Sequence, residues 1–328
     1  MKKYEVIALG ELLVDFTANG VSLQGNPLFE ANPGGAPCNV LSMLQKLGRR
    51  TAFIGKVGED SFGRMLRSVV AEQGIDVSHL LMDKKIPTTL AFVHTALDGD
   101  REFSFYRNPG ADMMLRPEEV DASFVGEARV FHFGSLSMTD VKVEAATKKA
   151  VEAAKEAGLW ISFDPNLRPP LWRDPETARE KIAYGIRQCD ILKISDDEIA
   201  FFTGVSDIEE GVARIREEFH TPLVCATMGK RGSLVYYKEQ KAACDPFLRE
   251  DTIETTGAGD TFMACVLNAV LENGWDGLNG RTLYEMLEFA NAAAALVTTK
   301  KGALKVMPEP EEVRALIRER RGAACGSV

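Results

Sequence analysis

The apolar residues of this chain fall into short continuous runs separated by stretches of helical periodicity. Val6 to Leu9, Thr51 to Val57, Arg129 to Phe133, Leu159 to Phe163, Ile191 to Ile194, Leu223 to Thr227 and Ser233 to Tyr237 are runs of strand length and composition. Pro37 to Leu47 carries its apolar residues at helical spacing and stops at Gly48. Phe62 to Glu72 does the same ahead of Gly74, and the Ala-rich stretch Val141 to Ala157 ends at Gly158. Pro175 to Gln188, Glu198 to Phe202, Ile208 to Phe219, Ala258 to Glu272, Leu283 to Thr298 and Glu311 to Arg320 complete the predicted helices. Residues 322–328 are expected to fray. Strand and helix alternate, which predicts a mainly parallel sheet with helices on both faces.

Two segments break this rhythm. Leu12 to Asn32 and Thr88 to Arg107 read as strands with no helix between them, and Phe92, His94, Phe103, Phe105 and Arg107 follow a period of two within short runs. They can form a small sheet apart from the core, suited to a lid that excludes water. An ordinary hairpin on the main sheet is the other reading. The expectation is one α/β domain over residues 1–328, with a lid built from about 12–32 and 88–107.

Composition narrows the class. A length of 328 residues, with 45% hydrophobic and 27% charged residues, suits a globular protein with a sizeable core. No apolar run reaches membrane-spanning length, and the start of the chain does not read as a secretory signal, so a cytoplasmic enzyme is expected. The net charge of −9 argues against nonspecific nucleic-acid binding. The six cysteines form no C-x-x-C pair and the four histidines lack metal-ligand spacing.

The strongest chemical signal is Glu254-Thr255-Thr256-Gly257-Ala258-Gly259-Asp260-Thr261-Phe262, a glycine-rich turn running into an apolar helix. The first amides of a helix lack internal partners and form an anion site with the helix dipole. A carboxylate beside such a site suits transfer of a phosphoryl group to a hydroxyl: the amides offset phosphate charge and Asp260 accepts the hydroxyl proton. An acidic residue in the first turn of a helix is also common for structural reasons alone. A second glycine-rich turn, Pro33-Gly34-Gly35-Ala36-Pro37-Cys38-Asn39, precedes another helix, and Asp15 follows the first strand, where it can accept from sugar hydroxyls. Each of these is open to a structural reading. Neither turn has the P-loop or the dinucleotide fingerprint, which argues against nicotinamide chemistry.

Taken together, GGAPCNV, DPNLRPPLW (Asp164 to Trp172) and TTGAGDTF resemble motifs of the PfkB carbohydrate kinases, the ribokinase-like family. Phe53 to Gly63, Phe105 to Leu115 and Phe131 to Ser137 look like its bacterial fructokinase branch, and the likeness runs over roughly residues 4–310. It implies a ribokinase-like three-layer α/β sandwich with a mainly parallel central sheet and a small β-sheet lid. It also implies ATP-dependent phosphorylation of a sugar, with the C6 hydroxyl of fructose as acceptor. A 2-keto-3-deoxygluconate kinase, or another sugar or nucleoside kinase of the family, is the alternative. A non-enzymatic sugar-binding protein is disfavoured by the intact Asp260 and glycines.

By the same resemblance Asp260 matches the catalytic base, and Gly257, Ala258 and Gly259 the anion hole. Asp15, Gly34, Gly35 and Asn39 match sugar-binding positions, Arg107 and Arg168 match arginines near the sugar and the transferred phosphate, and Asn166 lies close by. Lys193, Thr227, Gly229, Gly232 and Asn291 match the nucleotide side. Glu198 matches a residue tied to magnesium, expected here to act through water; a helix-start carboxylate is its plain reading. Two positions depart from the family pattern. Ser195 stands where asparagine is common, and Glu254 replaces an aspartate that, with backbone near Gly302, helps hold a monovalent cation. The implied cofactors are thus ATP and Mg2+, with potassium left open by Glu254. A homodimer formed through the lid strands is expected from their exposed edges.

Overall fold

The computed structural model describes residues 2–95 and 101–325. Residues 96–100 of the expected lid and 326–328 of the expected frayed tail lie outside it, as do the side chains of His94, Phe103 and Cys325.

The strands are β1 (Val6–Leu9), β2 (Leu13–Val21), β3 (Pro27–Gly34), β4 (Thr51–Gly58), β5 (Asp76–Asp83), β6 (Leu90–Thr95), β7 (Arg101–Tyr106), β8 (Val130–Gly134), β9 (Trp160–Asp164), β10 (Ile191–Ser195), β11 (Leu223–Thr227), β12 (Ser233–Tyr237) and β13 (Gln240–Cys244). The helices are α1 (Ala36–Lys46), α2 (Ser61–Glu72), α3 (Ala122–Val125), α4 (Val141–Glu156), α5 (Pro175–Gln188), α6 (Asp196–Thr203), α7 (Ile208–Phe219), α8 (Ala258–Asn273), α9 (Gly280–Val297) and α10 (Pro310–Cys325). The last helix therefore continues to Cys325, past the point where fraying was expected.

Nine strands form the main sheet in the order β13-β12-β11-β10-β9-β8-β1-β4-β5. All its pairings from β5 across to β11 are parallel, and β12 and β13 close one edge antiparallel. Alternation along β1 shows how the layers arise. Val6 and Ala8 pack into the core layer that includes α1, α8 and α9, while Ile7 and Leu9 pack into the opposite layer with α4 and α5. The two strands that were not read from sequence, β5 and β13, are the sheet's edges. One face of an edge strand reaches solvent, so Gln240, Lys241 and Ser78 dilute the apolar signal.

The second sheet is separate, with order β3-β2-β6-β7. β2 and β6 run parallel, flanked by antiparallel β3 and β7. This excludes the hairpin-on-the-main-sheet reading. Its two faces carry different aromatics. Phe92 stacks on Phe16 at 4.8 Å and meets Phe29 and Tyr106 on the outer face, whereas Val93 and Phe105 face the cleft beneath.

Candidate active site

A cleft of about 840 Å³ opens between the carboxyl ends of the parallel strands and the small sheet, the usual place for ligands in such folds. A second cavity of about 440 Å³ adjoins it, and Lys193, Ser195, Thr255 and Gly259 line both. A two-part site of this kind can hold two reactants end to end.

At the junction lies the start of α8. Gly257 caps the helix with φ +79°, and a Cβ there would lie 2.5 Å from that of Ala303, so glycine is required twice over. The first intrahelical bond runs from the Thr261 amide to the Gly257 carbonyl at 2.8 Å. The Gly259 and Asp260 amides have no partner among the described residues and remain free for an anion. Ala258 differs: its amide donates to the Thr255 carbonyl at 3.3 Å, and the residue lines the second cavity. Of the expected anion-hole residues, Gly259 thus brings a free amide, Ala258 an engaged one and Gly257 the left-handed cap, and the Asp260 amide adds a second free donor.

Asp260 lines the cleft and is 9% exposed. Asn39 Nδ2 donates to its Oδ2 at 2.8 Å, across 221 residues of chain. Burial raises the Asp260 pKa, while the Asn39 bond, Lys193 and Arg168 pull it back down. Asn39 Oδ1 is buried and has no donor among the described residues. Asn39 thus orients Asp260 with one end of its amide and presents an unpaired acceptor with the other.

Asp15, Gly35, Asn166 and Arg168 also line the cleft. Burial pushes the Asp15 carboxyl up to about 7, against the pull of Arg168. Gly34 faces Asp15: a Cβ would lie 2.1 Å from Asp15 Oδ2, so its role in the geometry is to leave room for that carboxylate. The Asn166 amide donates to Asp164 Oδ1 at 3.2 Å. Glu11, which was not singled out in the sequence, belongs here too. It lines the cleft, accepts from the Ala36 amide at 3.0 Å, and is pushed by burial up to about 7. The available signal was an acid inside the apolar run from Val6 to Val14.

Arg107 requires a correction. It was expected to face the sugar or phosphate, but it does not line the cleft. Its guanidinium pairs with buried Asp112 at 2.6 Å and also donates to Thr139 Oγ1 and the Leu136 carbonyl. Every nitrogen of the fork has a protein partner, so the guanidinium is committed to the Asp112–Leu136–Thr139 cluster rather than to the cleft.

On the other side, Thr227, Gly229, Gly232 and Asn291 line the second cavity. Asn291 accepts from Ser233 Oγ at 3.0 Å and donates to the Cys244 and Asp245 carbonyls, so it braces the cavity wall with all its polar atoms. Lys193 is buried beside Asp164, with Nζ 3.1 Å from the carboxylate. Burial opposes its charge, but Asp164, Glu198 and Asp260 together raise its pKa, so it stays cationic between the two cavities.

Glu198 is the third residue of α6 and forms a capping box with Ser195. Its two oxygens accept from the Ser195 and Leu167 amides, both at 2.8 Å. It is buried yet lines the cleft, so it is not a solvated helix-start acid. A carboxylate oxygen accepting one amide can accept again from a metal-bound water, and this donor set fits magnesium held through its hydration shell.

Glu254 and Gly302 do come together. The Gly302 amide donates to Glu254 Oε2 at 3.2 Å, and the Thr256 hydroxyl donates to Oε1. The extra methylene carries the carboxylate onto two protein donors, one on each oxygen, and each oxygen keeps a lone pair that a cation could share.

Residues 3–310 match the family described as pfkB family carbohydrate kinase. Fructokinase-1 of Zea mays is 40% identical over 314 residues, covering 95% of this chain and 97% of its own. A crystal structure of fructokinase with bound ATP from Xylella fastidiosa superposes with TM-score 0.87 at 30% identity, over 96% of this chain and 99% of that one. A double mutant of the Vibrio cholerae O395 fructokinase, in a fructose, ADP and potassium ion bound form, gives 0.86 at 30% identity, over 97% and 99%.

Proposed function

We propose that this chain, which belongs to the pfkB family of carbohydrate kinases, transfers the γ-phosphoryl group of ATP to the C6 hydroxyl of fructose. One observation carries the reading most: a buried carboxylate, Asp260, at the free amino end of a helix where two cavities meet. Fructose occupies the cleft under the small sheet, and the nucleotide extends into the second cavity. The sugar oxygen forms a bond to the γ-phosphorus as the bond to the bridging oxygen of ADP breaks, and the hydroxyl proton passes to Asp260. The Gly259 and Asp260 amides and Lys193 offset charge on the transferred group. Asp15 and the unpaired Asn39 Oδ1 accept from sugar hydroxyls, and Arg168 offsets the carboxylates around them. Val93 and Phe105 cover the sugar and keep water from competing with it.

Magnesium is the divalent ion we assign; Glu198 would hold it through water, and when bound it would neutralise phosphate charge. We also assign a homodimer joined through the small sheet, supported by its exposed apolar residues Val21, Leu23, Leu28, Phe29 and Tyr106; light scattering at micromolar concentration tests it. No helix among the described residues is long and apolar enough to cross a membrane. The cytoplasm is the compartment we assign, in keeping with the five cysteines that are buried and free among the described residues.

A coupled ADP-release assay across fructose, ribose, 2-keto-3-deoxygluconate and nucleosides tests the substrate. Fructose should give the highest kcat/KM. A preference for the sugar acid or a nucleoside would overturn the fructose assignment and leave the kinase chemistry standing.

A further inference from the structure

Both connections between the β6–β7 hairpin and the body of the protein pass one buried side chain. Thr89 immediately precedes β6, and its hydroxyl donates to Asp112 Oδ1 at 2.5 Å. Arg107 immediately follows β7, and its Nε donates to Asp112 Oδ2 at 2.8 Å. Asp112 itself sits in a short turn of helix, Ala111–Met114, that belongs to the body. The side chains of Arg107 and Asp112 are only 3% and 1% exposed, so this ion pair is shielded from solvent and from salt.

The cluster is tightly built. A Cβ on Gly110 would lie 1.8 Å from Thr89 Oγ1 and 2.7 Å from Asp112 Oδ1. Beyond Asp112, Arg107 reaches the Leu136 carbonyl at 3.0 Å and Thr139 Oγ1 at 2.9 Å. Leu136 lines the same cleft as Val93 and Phe105, the two hairpin residues that cover it. A continuous chain of bonds therefore joins the hairpin's two ends to one wall of the cleft. The other polar anchors of the incoming strand, Asp60 and the Gly58 amide at Thr88, the Val14 amide at the Thr89 carbonyl and the Ala111 amide at the Pro87 carbonyl, touch only that one end.

We propose that Asp112 is a positioning residue for the phosphoryl transfer: by holding Thr89 and Arg107 at once, it sets where Val93 and Phe105 sit over the bound sugar. The proposal rests on the kinase reading given above. Loosening its hold on either partner leaves the transfer machinery intact but lets the cover ride higher. Sugar then binds less tightly, and water gains access to the γ-phosphate.

Thr89→Val removes one of these bonds at nearly constant shape, and Thr89→Ser restores the hydroxyl. The assay measures sugar phosphorylation and sugar-independent ATP hydrolysis in the full chain. Thr89→Val should raise the sugar KM and the ratio of hydrolysis to transfer by about tenfold each, the scale of one hydrogen bond to a charged group, with kcat nearly unchanged. Thr89→Ser should return both toward wild type. If Thr89→Val does not fold, Thr139→Val, which cuts the link from Arg107 toward the cleft wall, is read in the same assay and should move the same ratio. Unchanged KM and hydrolysis ratio, with or without a lower thermal midpoint, would overturn the proposal and leave the cluster a plain structural brace. A wild-type protein that phosphorylates no sugar would instead refute the kinase reading, and with it the positioning role.

Discussion

Replacing Asp260 with asparagine separates its chemical role from its structural one. The substitution keeps the shape, and the new amide oxygen can still accept from Asn39 Nδ2, so the 2.8 Å contact across the cleft survives. What is lost is the ability to take a proton. A positioned general base is worth about 10²–10⁴ in rate, or about 2.7–5.4 kcal/mol at 1.36 kcal/mol per factor of ten. The variant's kcat should therefore fall by at least about two orders of magnitude while the sugar KM changes little. Stability should move the other way. Burial raises the Asp260 pKa, so at neutral pH the ionised carboxylate works against folding, and a neutral amide removes that penalty. Steady-state kinetics with fructose and a thermal melt on the same preparation read both effects. A kcat within tenfold of wild type would remove Asp260 from proton transfer. A lower thermal midpoint would mean that the carboxylate is better satisfied than its one side-chain donor among the described residues, Asn39, implies.

Three further outcomes follow from neighbouring groups. Asn39→Ala removes a hydrogen bond to a carboxylate, worth about 1.5–3 kcal/mol; the acid limb of the kcat profile should shift to higher pH, because the bond holds the Asp260 pKa down. Glu11 and Asp15, each pushed up to about 7, hold protons in the folded chain that the unfolded chain has already released between about pH 4 and 7. Stability therefore falls as pH rises through that window, and the midpoint of the unliganded protein should climb when pH is lowered from 8 to 6. His132, kept neutral by burial down to about 3, opposes this only as pH drops toward and below 6.5 and counts as one group against two. Finally, Thr256 and Gly302 hold Glu254 in place without a cation, so exchanging potassium for a bulky organic cation at constant ionic strength should leave turnover and thermal midpoint unchanged; strong activation by potassium would show that the carboxylate shares its remaining lone pairs with the ion.

The local pattern was enough for the layered architecture. Strand length, helical period and the glycines at 48, 74 and 158 are properties of neighbouring residues, and each corresponds to an element or a helix end in the structure. The turn before α8 was legible for the same reason, since a helix's first amides and the carboxylate beside them are close in sequence. The relation of Asn39 to Asp260 was not, because it joins residues 221 apart. Arg107 shows the same boundary from the other side. A cation in a motif can face a ligand or a protein carboxylate, and only the buried Asp112 at 2.6 Å decides which. Glu198 and Glu254 likewise read as metal-seeking acids in sequence, and only the structure shows that each of their oxygens already accepts one protein donor. Hydrogen-bond capacity is spent on whatever lies within about 3 Å. The residues alone thus specify which groups can do chemistry, and the folded chain determines which of them are still free to do it.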